Sequence, residues 1–213
     1  MKIGIIGAGF VARAVASLAV QNGHQAMLSN SRGPQTLTSY RSQIGCEIGT
    51  AEEAAAFGDI ALVAVPLSAY RAIPVAPLAG KIVLDADNYY PERDGHIAAL
   101  DAGTTTTSEM HAAHLPTSII VKAFNAVRMN DLLADGRPAG APDRLALPLA
   151  GDDAAAKRLV AGLYDAFGYD TVDVGPLAEG WRFERGRPGY CARLDKATLT
   201  RVLAANTRDS WAA

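Results

Sequence analysis

The segment Gly7-Ala8-Gly9-Phe10-Val11-Ala12 constrains this chain more than any other feature. It follows Met1–Ile6, an apolar run that reads as a buried β-strand, and it leads into Val11–Val20, a helix-forming run. This is the G-x-G-x-x-A form of the dinucleotide-binding fingerprint, set between a strand and a helix as its chemistry requires. Gly7 lets the chain turn sharply out of the strand. Gly9 has no side chain, so a pyrophosphate can approach the helix N-terminus, where free N–H groups and the helix dipole favour an anion. Ala12 is small enough for the helix to pack closely on the strand. Ala8, Phe10 and Val11 belong to the same cradle. The segment predicts a nicotinamide or flavin dinucleotide.

A chain of 213 residues can bury one full core, or one large and one small domain. With 49% hydrophobic and 20% charged residues it has the composition of an ordinary globular protein. A net charge of −2 carries no electrostatic footprint for nucleic acid or an anionic membrane. No apolar run approaches the ~18 residues of a membrane span. The chain enters a strand and glycine turn at once, so neither a signal nor a transit peptide is expected. Cys46 and Cys191 have no metal or redox spacing and read as free thiols of a reducing cytoplasm.

Short apolar runs alternate with amphipathic stretches, which predicts an α/β fold. The expected architecture is a Rossmann-type doubly wound, mostly parallel sheet with a small C-terminal α/β extension. Strands are expected at Lys2–Ile6, Gln25–Ser29, Glu47–Ile48, Ile60–Val65, Lys81–Asp85, Ser118–Ala123, Leu145–Ala150 and Thr171–Val174. Helices are expected near Phe10–Asn22, Pro34–Ile44, Ala51–Phe57, Leu67–Pro77, Thr107–His114, Asp152–Phe167 and Leu194–Asn206. Asn22-Gly23 reads as a glycine C-cap and Asp152-Asp153 as an N-cap. Residues 1–124 are expected to form the dinucleotide-binding domain. Residues 125–213 would complete the sheet and line the acceptor cleft.

The second candidate site is Asn30-Ser31-Arg32, at the end of the second strand. An NAD-binding unit carries an acid about 20 residues past the glycines, to hold the ribose 2′-OH. Here there is none. An amide, a hydroxyl and a guanidinium suit a 2′-phosphate, which a carboxylate would repel. The segment predicts NADP(H) over NAD(H). A polar turn with a solvated arginine would look the same.

Val65-Pro66-Leu67, at the end of the fourth strand, reads as a wall against the cofactor, and Pro66 can also start a helix. Asn88 follows the fifth strand. Ala123 and Asn125 close the sixth. Both strand ends should reach the nicotinamide, and Asn88 and Asn125 are the candidate catalytic contacts. Lys122 is expected to point into a helix layer with its ammonium in solvent. His24, His96, His111 and His114 lack partner spacing, so no metal site is expected. No Lys or His stands out as an acid for carbonyl reduction. Transfer to an acceptor that is itself a redox cofactor needs positioning more than a proton relay.

Together Gly7–Ala12, Ser31-Arg32, Val65-Pro66, Gly151-Asp152-Asp153 with Lys157, and Asp173-Val174-Gly175-Pro176-Leu177 resemble the NADP oxidoreductases that use the deazaflavin coenzyme F420. The resemblance runs over about 175 of the 213 residues. The nucleotide-binding domain of the membrane metalloreductases is similar too. The resemblance implies that Ser31 and Arg32 hold the 2′-phosphate. It implies that the backbone around Ala123–Ala126 faces the nicotinamide and that hydride passes directly to a stacked deazaflavin or flavin. It also implies a homodimer. The chain departs from the family pattern at Trp181–Tyr190 and at Asp87–Asp94. Both segments are expected to border the acceptor site, where Trp181, Phe183 and Tyr190 would stack on a flat acceptor and Arg182, Arg185 and Arg187 would hold its phosphate or carboxylates; otherwise the aromatics are core anchors of a loop and the arginines are solvated.

The leading expectation is an NADP(H)-dependent oxidoreductase with a small-molecule redox acceptor, a deazaflavin or a flavin. The alternatives are an NADPH-dependent reductase of a small carbonyl or imine, and an NADP(H)-binding sensor without turnover. Fold alone does not choose among them.

Overall fold

The computed structural model describes residues 1–208. Its strands are β1 (Lys2–Ile6), β2 (Gln25–Ser29), β3 (Glu47–Gly49), β4 (Ile60–Val63), β5 (Ile82–Asp85), β6 (Ile119–Lys122), β7 (Ala146–Gly151) and β8 (Asp170–Asp173). Its α-helices are α1 (Phe10–Gln21), α2 (Thr38–Ile44), α3 (Ala51–Phe57), α4 (Pro91–Asp94), α5 (Ala98–Asp101), α6 (Thr107–His114), α7 (Met129–Ala134), α8 (Ala154–Ala166) and α9 (Lys196–Ala205). The strands form one sheet in the order β3-β2-β1-β4-β5-β6-β7-β8. Every pairing is parallel except β6 with β7. The order runs outward from β1 in both directions, so β1 and β4 flank the topological switch point where such sheets bind ligands.

The two-residue period of the strands divides the core between the two faces. Ile60 and Leu62 of β4, with Leu84 of β5 and Val121 of β6, pack with α1 and α8. Ala61 and Val63, with Val83 and Ile120, pack on the other face. Both faces are covered, which is why the central strands read as unbroken apolar runs. A third cluster joins Phe183, Leu199 and Leu203 to β7 and β8.

Helix ends follow local chemistry. Asn22 caps α1, and Gly23 follows at φ 76°. Asp153 accepts the Ala156 N–H at 2.7 Å and caps α8. Asp152 instead accepts the Leu177 N–H at 2.9 Å, tying the segment after β8 to the start of α8. The expected helix Leu67–Pro77 is two 3₁₀ turns, Leu67–Ala72 and Ala76–Leu78. Pro74 and Pro77 remove N–H donors and disfavour helical geometry in the residues before them. The expected helix Pro34–Ile44 opens as a 3₁₀ turn, Pro34–Leu37, before α2. The short helices α4, α5 and α7 and the 3₁₀ helix Leu177–Phe183 were not expected. No helix among the described residues is long and apolar enough to cross a membrane.

Candidate functional site

At the carboxyl ends of β1, β4, β5 and β6 lies a cleft of about 660 Å³. The start of α1 forms one wall through Gly9, Phe10, Val11 and Ala12. Two glycines of the fingerprint act differently. Gly7 has φ 121°, and a Cβ there would lie 2.1 Å from the Ala64 carbonyl oxygen. It is required for the chain to fold past β4. Gly9 has φ −67°, and nothing lies within 4 Å of its Cβ position. Nothing in the protein itself demands glycine there. The space is free for a ligand, at the end of a twelve-residue helix whose first N–H groups lack intrahelical partners.

Ala64, Val65 and Pro66 form the adjoining wall, and Asn88 and Asn125 the base. Phe124 precedes Asn125 with φ 62°, uncommon for a bulky residue. Its N–H donates to the Tyr164 hydroxyl at 2.9 Å, and the two rings meet edge to face at 4.8 Å. These contacts hold the turn that directs Asn125 back to Asn88. Val127, Arg128, Asn130 and Asp131 line another side, and Tyr90, Arg93, Tyr190 and Cys191 another. The Tyr90 and Tyr190 hydroxyls are hydrogen-bonded at 2.6 Å.

Of the sequence candidates, Gly9, Phe10, Val11, Val65, Pro66, Asn88 and Asn125 meet in this cleft. Gly7, Leu67 and Ala123 are buried behind it, and Ala8 is half-buried against the main core. Asn30, Ser31 and Arg32 stand past the end of β2. Asn30 Oδ1 accepts the Arg32 N–H at 3.0 Å, and Gln35 Nε2 donates to the Arg32 carbonyl at 2.9 Å. The Ser31 side chain and the Arg32 guanidinium are exposed, and among the described residues neither has a hydrogen bond or ion pair. Tyr90 and Arg93 fall in the segment Asp87–Asp94 that was expected at the acceptor site, whereas Arg128 and Cys191 were not expected in the cleft. They come from short loops and helices that carry no periodic signal.

Behind the base lies a buried charged cluster that corrects two expectations. Lys122 is fully buried rather than solvated. Its Nζ donates to Thr107 Oγ1 at 2.6 Å and to the Asp87 carbonyl at 3.3 Å, and it lies 3.7 Å from Asp85 and 3.4 Å from Glu184. His111 does have partners. Its Nε2 is 3.0 Å from Asp87 Oδ2 and 3.5 Å from Asp85 Oδ1. Burial works against ionised Asp85, but His111, Lys122 and the Ser108 hydroxyl outweigh it and hold its pKa below the ordinary carboxylate value. Burial, aided by the charge of Asp85, pushes Asp87 up despite His111. Burial also opposes the His111 cation, yet Asp85 and Asp87 together raise its pKa. The side-chain donor atoms of Asp85, Asp87 and His111 lie within 4.8 Å of one another, with the Lys122 ammonium already supplying a cation beside them.

The segment Trp181–Tyr190 divides. Tyr190 lines the cleft. Phe183 is wholly buried in the third core cluster. Trp181, Arg185 and Arg187 border a separate cavity of about 550 Å³. Arg182 pairs with Glu179 and donates to the Leu203 and Asn206 carbonyls. Arg185 pairs with Glu92 through both nitrogens, at 2.8 and 3.1 Å. Phe183 is therefore a core anchor as the alternative reading expects, whereas Arg182 is not simply solvated but is held by Glu179 and two backbone carbonyls.

Comparison with known proteins agrees with the fold. The model of the family described as NADP oxidoreductase, coenzyme F420-dependent, matches residues 2–89. The hypothetical protein SMa0349 of Sinorhizobium meliloti is 31% identical with a TM-score of 0.78, over 92% of this chain and 95% of that one. An Arthrobacter sp. FB24 protein assigned as an F420-dependent NADP-reductase is 26% identical with a TM-score of 0.71, over 83% and 85% of the two chains. Metalloreductase STEAP3 of Rattus norvegicus is 30% identical over 186 residues, which are 86% of this chain and 36% of STEAP3. The chain thus spans about a third of the length of that relative. On its fold, its fingerprint and these matches, the chain is similar to the coenzyme F420-dependent NADP oxidoreductases, whose family model covers its residues 2–89.

Proposed function

We propose that this protein transfers hydride between NADPH and a deazaflavin or flavin-like acceptor bound in the same cleft. The observation that carries the reading is the start of α1, where the ligand-sized space at Gly9 opens onto the Asn88–Asn125 base. The residues fit the nucleotide. The first N–H groups of α1 would bind its pyrophosphate, and Ser31 and Arg32 its 2′-phosphate. NADPH supplies the hydride. Val65 and Pro66 offer an apolar surface to a ring, while Asn88 and Asn125 offer amide groups that orient its polar substituents. Tyr90 and Tyr190 border the remaining opening, where a second flat ligand would enter.

The test is a spectrophotometric assay of purified protein, after NADPH and NADH binding have been titrated. Oxidised deazaflavin, FMN and FAD are offered in parallel. Preferential NADPH binding with bleaching of deazaflavin or flavin is expected. Tight NADPH binding without reduction of any of the three would overturn the acceptor assignment. A second reading, reduction of a small imine or carbonyl, draws support from the Asp87–His111 pair behind the cleft, because such chemistry needs a proton donor.

A further inference from the structure

We propose that Asp87 and His111 form a buried proton-donating dyad that protonates the acceptor as it is reduced. This rests on the oxidoreductase reading above. Asp87 lies on the cleft wall between Ala86 and Asn88. Its two carboxylate oxygens have separate partners: Oδ1 accepts the Val65 N–H at 2.8 Å, and Oδ2 faces His111 Nε2 at 3.0 Å. Val65 is itself a wall residue, so the carboxyl group sits one hydrogen bond from the cleft surface. His111 is fully buried, and no described residue hydrogen-bonds its Nδ1. A proton held there has Asp87 as its outlet to the cleft.

The surroundings favour holding a proton. The groups facing the dyad are Asp85 from β5, Lys122 from β6, Glu184 across Thr107 and the Tyr70 ring, which meets His111 edge to face at 5.9 Å. Lys122 pairs with Asp85 and Glu184 but reaches only the backbone carbonyl of Asp87, so three buried carboxyl groups stand with one lysine, and a proton on the dyad brings the cluster closer to neutrality. Burial and Asp85 raise Asp87, while Asp85 and Asp87 raise His111 against the effect of burial. Both members therefore keep a proton to higher pH than they would in water, and they titrate as a pair.

The step balances. The acceptor gains hydride, with its electron pair, from NADPH, which becomes NADP⁺; the hydride goes to carbon in a deazaflavin, imine or carbonyl and to a ring nitrogen in a flavin. The acceptor's conjugated nitrogen or oxygen gains the proton held between Oδ2 and Nε2, so that one N–H or O–H bond forms. The dyad is left one proton short and regains it from water when product leaves the cleft. A conjugated C=N ring, as in a deazaflavin or flavin, and a simple imine or carbonyl share this chemistry. Turnover of each separates them.

The experiment uses Asp87→Asn, His111→Gln and Ser108→Ala, the last losing a hydroxyl on Asp85 without touching the dyad. Each is checked for folding by thermal melting and for NADPH affinity, then assayed for kcat across pH with deazaflavin, FMN and 2-methyl-1-pyrroline. In parallel, histidine-labelled wild type and Asp87→Asn are titrated by NMR without ligands. In wild type, kcat should fall as pH rises through the dyad's apparent pKa. Asp87→Asn should lose about 10²–10⁴-fold in kcat and lose that limb, with NADPH affinity within a factor of a few. His111→Gln should shift or abolish the limb, while Ser108→Ala keeps it. His111 should deprotonate at higher pH in wild type than in Asp87→Asn. Wild-type kcat and pH profile in Asp87→Asn, or one unperturbed His111 titration in both proteins, would overturn the proposal. If no acceptor is reduced, the oxidoreductase reading fails and the catalytic assignment with it, and NMR alone then reports whether the dyad holds a proton.

Discussion

Asn88 and Asn125 bind each other reciprocally: Asn88 Nδ2 donates to the Asn125 carbonyl at 3.0 Å, and Asn125 Nδ2 donates to Asn88 Oδ1 at 3.1 Å. The Asn125 amide also donates to the Phe183 carbonyl at 3.0 Å. One buried side chain thus joins the ends of β5 and β6 to the C-terminal segment. Asn125→Ala leaves the Phe183 carbonyl without that donor, and should cost about 1–3 kcal/mol of stability. Urea denaturation measures this. If the pair also orients the acceptor, KM for the acceptor should rise while NADPH affinity changes little.

Arg32 tests the choice of nucleotide. Its guanidinium is exposed and uses no hydrogen bond to hold the fold, so Arg32→Ala should leave the melting temperature within about 0.5 kcal/mol equivalent of wild type. Losing a charge-assisted contact to a 2′-phosphate should weaken NADPH by about 1–3 kcal/mol and leave NADH nearly unchanged. Calorimetric titration of both nucleotides decides it. Equal losses would show that Arg32 does not read the phosphate.

The two fingerprint glycines should separate folding from binding. Gly7→Ala sets a Cβ against the Ala64 carbonyl at a positive φ, so soluble folded protein should be lost or strongly destabilised. A Cβ at Gly9 meets no neighbour, so Gly9→Val should melt close to wild type and lose binding of both dinucleotides. Circular dichroism and nucleotide titration measure the two effects. Normal NADPH binding by Gly9→Val would show that the pyrophosphate lies elsewhere.

These contrasts show what was legible before the structure. The strand–glycine–helix unit is local, so its position and its cofactor class could be read from adjacent residues. The wall at Val65-Pro66 and the base at Asn88 and Asn125 followed from the rule that ligands sit at strand ends. The buried cluster did not follow, because it is assembled from residues 85, 87, 107, 111, 122 and 184, whose partnership no local pattern encodes. A signal was nonetheless present. Asp85 and Asp87 are two apart at the end of an apolar strand, and Lys122 ends the adjacent one, where a lone charge needs a buried counterpart. The segment Trp181–Tyr190 was ambiguous because aromatics and arginines serve cores and ligands alike. Only tertiary packing sent Phe183 inward and Tyr190 to the cleft.

Lys122 is the cation that holds this cluster together. Its stem also supports the Leu177–Phe183 helix, since a Cβ on Gly180 would lie 2.8 Å from Lys122 Cδ. Lys122→Met keeps most of the stem but leaves Asp85 and Glu184 without their ammonium, which should cost about 3–5 kcal/mol. Adding Glu184→Gln to that variant removes one of the stranded charges and should recover part of the loss. Denaturant midpoints of the two single variants and the double variant measure the coupling. Strict additivity would show that the Lys122–Glu184 contact at 3.4 Å contributes nothing.

His111 links the cluster to pH. Its folded pKa lies above its ordinary value, through Asp85 and Asp87 acting against burial. A group raised in this way contributes stability that is complete below the unfolded value, about 6.5 for histidine, and is lost as pH rises through the folded value. Wild type should therefore exceed His111→Gln in stability by the largest margin below about pH 6, with the margin shrinking steadily above it. Asp85 acts with the opposite sense, because its pKa is lowered. Its contribution is complete above about pH 4 and falls away only as acid protonates it, so it leaves the neutral range unaffected. Melting curves of wild type and His111→Gln from pH 5 to 9 measure the margin. A margin that stayed constant across that range would mean that His111 does not change its charge there on folding.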